Sequence, residues 1–71
     1  RILKEGLVGD DVKWLQWKLK ECGYLKDAID GWFGLQTLCA VCGYQLKNDL
    51  TVDGLVGTAT IKSLKEGKKG Y

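Results

Sequence analysis

The sequence predicts an all-α domain, a compact three-helix unit with long structured loops. Three observations predict it. A glycine-bracketed corner recurs three times at a period of 23 to 25 residues, as Gly6-Leu7-Val8-Gly9, Gly31-Trp32-Phe33-Gly34 and Gly54-Leu55-Val56-Gly57. Apolar residues at helical spacing follow each copy. The 71 residues, 45% hydrophobic and 28% charged, have the composition of a folded domain and the length for one core only. The expected unit is a single domain over residues 1–71, with its core over about 3–64 and a linker-like tail over 65–71.

The first helix is expected from about Asp11 to Cys22, with Asp10 as the N-cap that accepts from orphan backbone N–H groups. Val12, Leu15, Leu19 and Cys22 then form one apolar stripe. Gly23 suits the left-handed residue that ends the helix, and Tyr24 falls where a Schellman cap makes its hydrophobic contact. The second helix, about Leu35 to Asn48, carries no charge until Lys47 and is apolar almost all round, which makes it the central element. Its expected buried sector is Thr37, Leu38, Ala40, Val41 and Tyr44. A mid-helix glycine costs about 1 kcal/mol relative to alanine, so Gly43, with Ala40, is expected to admit a closely packed neighbouring helix. The third helix spans about Thr58 to Lys65, points Thr60, Ile61 and Leu64 inward, and is too short to stand alone. In the connections, Leu25, Ile29, Phe33, Leu50, Val52 and Val56 are expected to plug the core, with Val8 equivalent to Phe33 and Val56.

Several function classes drop out on composition. The chain has no histidine, which removes the commonest general acid/base and the commonest metal ligand. Its 11 basic and 9 acidic residues are interleaved, without the basic stripe of a nucleic-acid binder. No apolar run reaches the length of a membrane helix. Three cysteines, Cys22, Cys39 and Cys42, exclude a disulfide scaffold and leave at least one thiol unpaired within the chain. The spacing of Cys39 and Cys42 fits a redox pair or half a zinc site, yet zinc needs four ligands. Small apolar packing residues are the simpler reading of all three. If the flank carrying Cys39, Cys42 and Leu46 is exposed, it becomes a dimer or interdomain contact. The carboxylates Asp10, Asp11, Asp27, Asp30, Asp49 and Asp53 sit at caps and turns, where local hydrogen bonding accounts for them. No catalytic residue, metal ligand or cofactor is expected.

The linked motifs resemble the peptidoglycan-binding domain 1 family, the three-helix wall-binding modules of bacterial and phage lytic enzymes. The residues that carry the resemblance are Gly9-Asp10-Asp11-Val12-Lys13-Trp14-Leu15-Gln16, Gly23-Tyr24, Asp30-Gly31-Trp32-Phe33-Gly34-Leu35-Gln36-Thr37, Ala40-Val41, Tyr44-Gln45 and Val52-Asp53-Gly54-Leu55-Val56-Gly57, with Thr60 and Leu64. They cover about Leu3 to Leu64. The family often has Phe where this chain has Tyr44. The resemblance implies noncatalytic attachment to peptidoglycan, through glycan strand or stem peptide, by a monomeric, extracellular, cell-wall-associated module joined to a catalytic domain such as an autolysin or endolysin. It also brings in an alternative, the pro-domain of a hydrolase, although the Pro-Arg-Cys-Gly switch of metalloprotease pro-domains is missing. A helix-turn-helix DNA binder is a remoter alternative, since the last helix offers only Lys62 and Lys65. Neither nucleic acid nor membrane insertion is expected.

Most of the motif reads as architecture: the corner aspartates and glycines shape turns, and Gln16 and Gln45 hydrogen-bond loop backbone. Recognition then falls to large side chains without a core position. At 100° per residue Trp14 and Trp17 point away from the core stripe of the first helix. Either the segment Ile2 to Val8 folds over one of them, or they form an aromatic surface for sugar rings or a partner domain. Trp32, at a loop tip before the second helix, is the leading candidate. The expected wall groove lies around Trp32, Gln36 and Tyr24, with Gln45 weaker and peptide N–H groups at the start of the second helix available to a stem-peptide carboxylate.

Overall fold

Three helices form where the glycine-bracketed corners release the chain: α1 over Asp10–Glu21, α2 over Leu35–Lys47 and α3 over Thr58–Lys65. The computed structural model describes residues 2–70. Gly9, Gly34 and Gly57 are the N-caps, none with a side-chain cap, and their carbonyls accept the first helical bonds from Lys13, Leu38 and Ile61. Asp10 therefore lies inside the first turn and is not the expected N-cap. With Asp11 it serves the positive end of the α1 dipole, and the Asp11 carboxylate accepts the Val12 N–H at 3.0 Å.

Each helix ends in a Schellman motif. The N–H of Tyr24 returns to the Leu19 carbonyl and that of Gly23 to Lys20; Leu50 and Asp49 repeat the pattern on Gln45 and Leu46, and Lys68 and Gly67 on Ser63 and Leu64. Two of the three left-handed residues are glycine, as expected for Gly23. The third is Asp49, at φ 58 and exposed, the one non-glycine residue with positive φ among those described.

The core sits between the helices and is completed by the connections. Val12, Leu15, Leu19 and Cys22 of the first stripe are buried with Ala40, Val41 and Tyr44 of α2 and Leu64 of α3. Leu25, Phe33 and Val56 plug it as expected. Ile29 and Val52 do not, being 37% and 49% exposed. Leu38, Leu50 and Ile61 pack against the core only in part, and Gln45 takes the buried place on α2 expected of Leu38. Val8 is 68% exposed while Leu3 is buried, so the first corner does not contribute the plug that Phe33 and Val56 contribute to theirs. Gly43 faces no neighbouring helix; a Cβ there would lie 3.6 Å from the Tyr24 ring, an ordinary contact.

The reason lies in the N-terminal segment, which acts as a clasp. Leu3 and Val56 exchange both backbone hydrogen bonds, at 3.1 and 2.8 Å. Gly6 donates to Phe33, Phe33 to Leu7, and Gly9 to Gly31, so the first corner lies antiparallel against the second. That pairing turns Val8 outward and leaves Leu3 and Leu7 to face the core.

The second and third corners are each locked by a glutamine from the preceding helix. Gln16 Nε2 lies 2.9 Å from Asp30 Oδ1, 2.9 Å from the Trp32 carbonyl and 3.0 Å from Thr37 Oγ1, its two hydrogens shared among the three acceptors. Its Oε1 accepts the Gly31 N–H at 2.9 Å. Gln45 repeats every contact: Nε2 with Asp53 Oδ1, the Leu55 carbonyl and Thr60 Oγ1, and Oε1 with the Gly54 N–H. Gly31 and Gly54, at φ 78 and 73, aim their N–H groups at these amides, a conformation L side chains rarely adopt. No buried side-chain N or O among the described residues lacks a partner.

The expected solvated tail is instead docked as far as it is described. Tyr44 donates to the Lys68 carbonyl at 2.8 Å and shares a 2.7 Å hydrogen bond with Ser63 Oγ, while Tyr24 donates to the Lys69 carbonyl at 2.5 Å. The two rings meet edge to face with centroids 5.5 Å apart. The Tyr44 hydroxyl thus ties α2 to α3 and the tail, which phenylalanine could not do. Burial pushes its pKa above the ordinary value. Its contribution to stability is therefore intact below about pH 10 and is lost as pH rises through the higher native value. Tyr71, at the end of the expected tail, lies outside the described residues.

Two stability predictions come from these contacts. Gln16→Leu or Gln45→Leu strands a buried N–H and should cost about 2–4 kcal/mol in urea unfolding, whereas Gln36→Leu on the exposed side of α2 should stay within about 0.5 kcal/mol. Asp49→Gly relieves a left-handed residue and should raise stability by up to about 1 kcal/mol, with Asp49→Val lowering it by at least as much.

Candidate functional site

The two locked corners are built alike, but the chain between clamp and corner differs in length. Asp30 lies 14 positions after Gln16, and Asp53 lies 8 positions after Gln45. The extra residues extend α1 beyond its glutamine and lengthen the following loop, so that Tyr24 to Asp27 stand as a wall opposite the first turns of α2. Between them lies an open groove of about 390 Å³, lined by Tyr24, Leu25, Lys26, Asp27, Leu35, Gln36, Cys39 and Ala40. Its base is apolar, from Leu25, Leu35 and Ala40. Its polar side chains are Lys26, Asp27 and Gln36, while the Tyr24 hydroxyl is taken up by the Lys69 carbonyl.

The walls are fixed from behind. Tyr24 is held by the Schellman bond to Leu19, by the Tyr44 ring and by the Lys69 carbonyl. The start of α2 is held through Thr37 by the Gln16 clamp. A ligand in this groove would meet Leu35 and Gln36 at the positive end of α2, where the first turn carries no acidic residue.

The structure brings together only part of the expected site. Tyr24 and Gln36 line the same groove. Trp32 is 53% exposed but is not in the lining; its ring lies across Gly34, where a Cβ would come 2.8 Å from Cζ3. Gly34 is thus the residue that lets this ring lie flat against the corner. Trp14 and Trp17 part company. Trp14 is half-buried and lines a separate cleft with Leu3, Asp11, Ile61 and Lys65. Trp17 is 49% exposed, with Lys18 Nζ 5.0 Å from its ring centroid. Gln45 leaves the candidate set, because it is buried and its whole amide is consumed by the third corner.

Lys26, Asp27 and Leu35 are groove residues that the sequence reading missed. The available signal was the longer interval between clamp and corner, which needs the glutamine contacts to be seen. Among the cysteines, Cys22 is buried with Sγ 3.9 Å from the Lys68 carbonyl, and burial raises its pKa. Cys42 is half-buried, but Cys39 is exposed, against the expectation that all three pack inside. No group of three or more His, Cys, Asp or Glu among the described residues is placed to hold a metal ion.

The corner before α2 is also an electrostatic element. Asp30 accepts the Trp32 N–H and the Gln16 amide, each at 2.9 Å, and the first of these above all holds its carboxyl below the ordinary pKa. These bonds favour the charged form.

Comparison with known proteins gives concordant results. Residues 8–64 match the family model described as a peptidoglycan binding domain. The N-acetylmuramoyl-L-alanine amidase CwlM of Mycobacterium tuberculosis is 45% identical over 58 residues, which are 82% of this chain and 14% of that protein. The spore cortex-lytic enzyme of Bacillus subtilis is 42% identical over 100% of this chain and 24% of its own length. The chain thus spans a quarter or less of these two relatives. Among solved structures, the SleB N-terminal domain superposes with a TM-score of 0.92 at 39% identity, covering 96% of this chain and 94% of that one. The Burkholderia AP3 phage endolysin gives 0.89 at 34% identity, over 96% of this chain and 26% of the endolysin.

A lowered carboxylate pKa has a definite sign in acid. The Asp30 contribution to stability is present above the unfolded value of about 3.9 and is lost as pH falls through the lower native value. Urea midpoints measured from neutral pH down to about pH 2 should therefore fall in wild type. The fall should be smaller in Asp30→Asn, which keeps an acceptor for the Trp32 N–H but has no proton to gain in this range.

Proposed function

The chain belongs to the peptidoglycan binding domain family, and from that membership we propose that it is a noncatalytic module that grips cell-wall peptidoglycan and holds a linked hydrolase beside its substrate. The family match over residues 8–64 carries this reading. Support comes from relatives named as an amidase and a cortex-lytic enzyme, each several times longer than this chain. Hydrolysis then belongs to the rest of the parent protein, the place of action is the cell wall outside the membrane, and the reduced chain works as a monomer.

The groove beside α2 is the proposed contact. Its apolar base suits the methyl groups of a stem peptide or the apolar face of a sugar ring, while Lys26, Gln36 and the first N–H groups of α2 suit a stem-peptide carboxylate. Trp32, exposed just before α2, offers a stacking surface for a neighbouring sugar. A groove this open needs only weak affinity. At a Kd of about 1 mM, near −4 kcal/mol, a tether that supplies millimolar effective concentration keeps the hydrolase at the wall for much of the time.

Sedimentation with purified sacculi tests the assignment. Wild type should pellet with the wall, Gln36→Ala and Trp32→Ala should each weaken the association by about 3- to 10-fold, and Trp17→Ala should match wild type, with all melting curves alike. Loss confined to Trp17→Ala would move the contact to α1. No pelleting by wild type would remove the wall-binding role itself.

A further inference from the structure

The outer side of α2 is apolar and uncharged, and all of it but Cys42, which lies beside the third corner at Gly54, is exposed. Leu35 and Leu46 are 62% and 65% exposed, Cys39 is exposed and Cys42 half-buried. At 100° per residue these four side chains fall within roughly 60° of one another, opposite the buried sector of Thr37, Val41 and Tyr44. Lys47 is the only charged residue of the helix. The order Leu, Cys, Cys, Leu with spacings of four, three and four reads the same in both directions. Two copies related by a two-fold axis between Cys39 and Cys42 therefore set Leu35 against the partner's Leu46 and Cys39 against the partner's Cys42. That is an isologous contact with heptad-like spacing.

From this self-complementary seam we propose that a second copy of this chain docks antiparallel along α2 and that two reciprocal Cys39–Cys42 disulfides between the copies lock the pair. Helix axes at close-packed separation bring facing Cα atoms to about 4–6 Å, within the range a disulfide spans. Within one helix, by contrast, the Cβ atoms of residues three apart lie about 5–6 Å from each other, too far for an unstrained intrachain bond. Cys22 is buried and takes no part. The partner's Leu46 meets the Leu35 end of the seam, where the groove bounded by Tyr24 and Gln36 opens to receive it.

The contact area explains why a covalent bond is needed. A helix face about 20 Å long and 10 Å wide on each copy buries a few hundred Å² in all, short of the roughly 1,000 Å² that a persistent noncovalent interface requires. The reduced pair therefore falls apart, and the oxidised pair persists. Each interchain bond forms when a Cys39 or Cys42 thiolate attacks a small-molecule disulfide such as oxidised glutathione and releases one glutathione thiol. The facing cysteine of the second copy then displaces the other. Two protein thiols are oxidised, two glutathione thiols are produced, and the thiol protons pass to them.

The test is oxidation of the purified chain with oxidised glutathione, followed by non-reducing electrophoresis, sedimentation and a thiol count after denaturation. Wild type should shift from 7.9 kDa to twice that mass, lose the shift in dithiothreitol, and fall from three thiols per chain to one. Cys39→Ser and Cys42→Ser should each stay monomeric alone, yet form a singly linked pair when mixed, because only the mixture sets a cysteine opposite a cysteine. Leu46→Lys, on a fully folded chain, should slow linkage by about tenfold or more. A wild-type chain that stays monomeric overturns the proposal, whether its thiols remain free, are capped by glutathione or close within the chain. Covalent dimers from either serine variant alone overturn the register, and Leu46→Lys linking as fast as wild type overturns the seam.

Discussion

Everything in this fold depends on two glutamine amides, each asked to donate and accept at the same corner. A turn of the form Asp-Gly-X-X-Gly points a glycine N–H and a carbonyl inward at once, and a buried polar group left unpaired there would undo much of a small domain's margin. Glutamine is the neutral side chain with the reach and both functions. Glutamate would offer no donor and would face the Asp30 or Asp53 carboxylate; leucine would offer neither function. Because Gln16 and Gln45 grip corners 14 and 8 residues further on, they also fix how each helix sits against the next. The first corner is clamped by neither glutamine. It is held instead by backbone pairing with the second corner, through Gly6, Leu7 and Gly9.

This head-to-tail logic explains which parts of the structure were legible in the sequence. Helix positions were, to within a residue at each end, because apolar spacing and glycine punctuation are local signals. The roles of Gln16 and Gln45 as loop anchors and the inward Phe33 were legible too, since the repeat displays them twice, and the left-handed Gly23 was legible from its place at a helix end. Ile29, Val52 and Val8 were misread because connection residues have no periodicity to declare their side. Val8 is turned outward by the first corner pairing with the second, a contact between segments far apart in the chain. The docked tail was invisible for the same reason. Its carbonyls are held by Tyr24 and Tyr44, whose hydroxyls look like core ornament until α2 and the tail are seen side by side.

The candidate site was half legible. Tyr24 and Gln36 were placed together correctly, from the helix end on one side and the helix start on the other. Lys26, Asp27 and Leu35 escaped because a groove is made by the difference between two repeats, not by what they share. Where clamp and corner stand close, around Gln45 and Asp53, the chain has little slack. Where they stand six residues further apart, the surplus becomes a wall. A repeat architecture thus keeps its corners constant and varies the interval between them to make a surface.

Such a surface is coupled to the rest of the chain through Tyr24. One face of its ring environment is the groove, its edge packs on Tyr44, and its hydroxyl holds the tail at Lys69. A ligand that presses on Tyr24 acts on the same side chain that docks the tail. Any preference of the ligand for the docked arrangement must be matched by an equal preference of the docked tail for the ligand. For a contact as weak as the one proposed, such a coupling need not be large to matter. A tenfold change in groove affinity corresponds to about 1.4 kcal/mol, comparable to one of the tyrosine hydrogen bonds that hold the tail in place. A tail pulled away from Tyr24 and Tyr44 gives up the hydrogen bonds of both hydroxyls to its carbonyls, and Tyr24 is the side chain that the tail and the groove share.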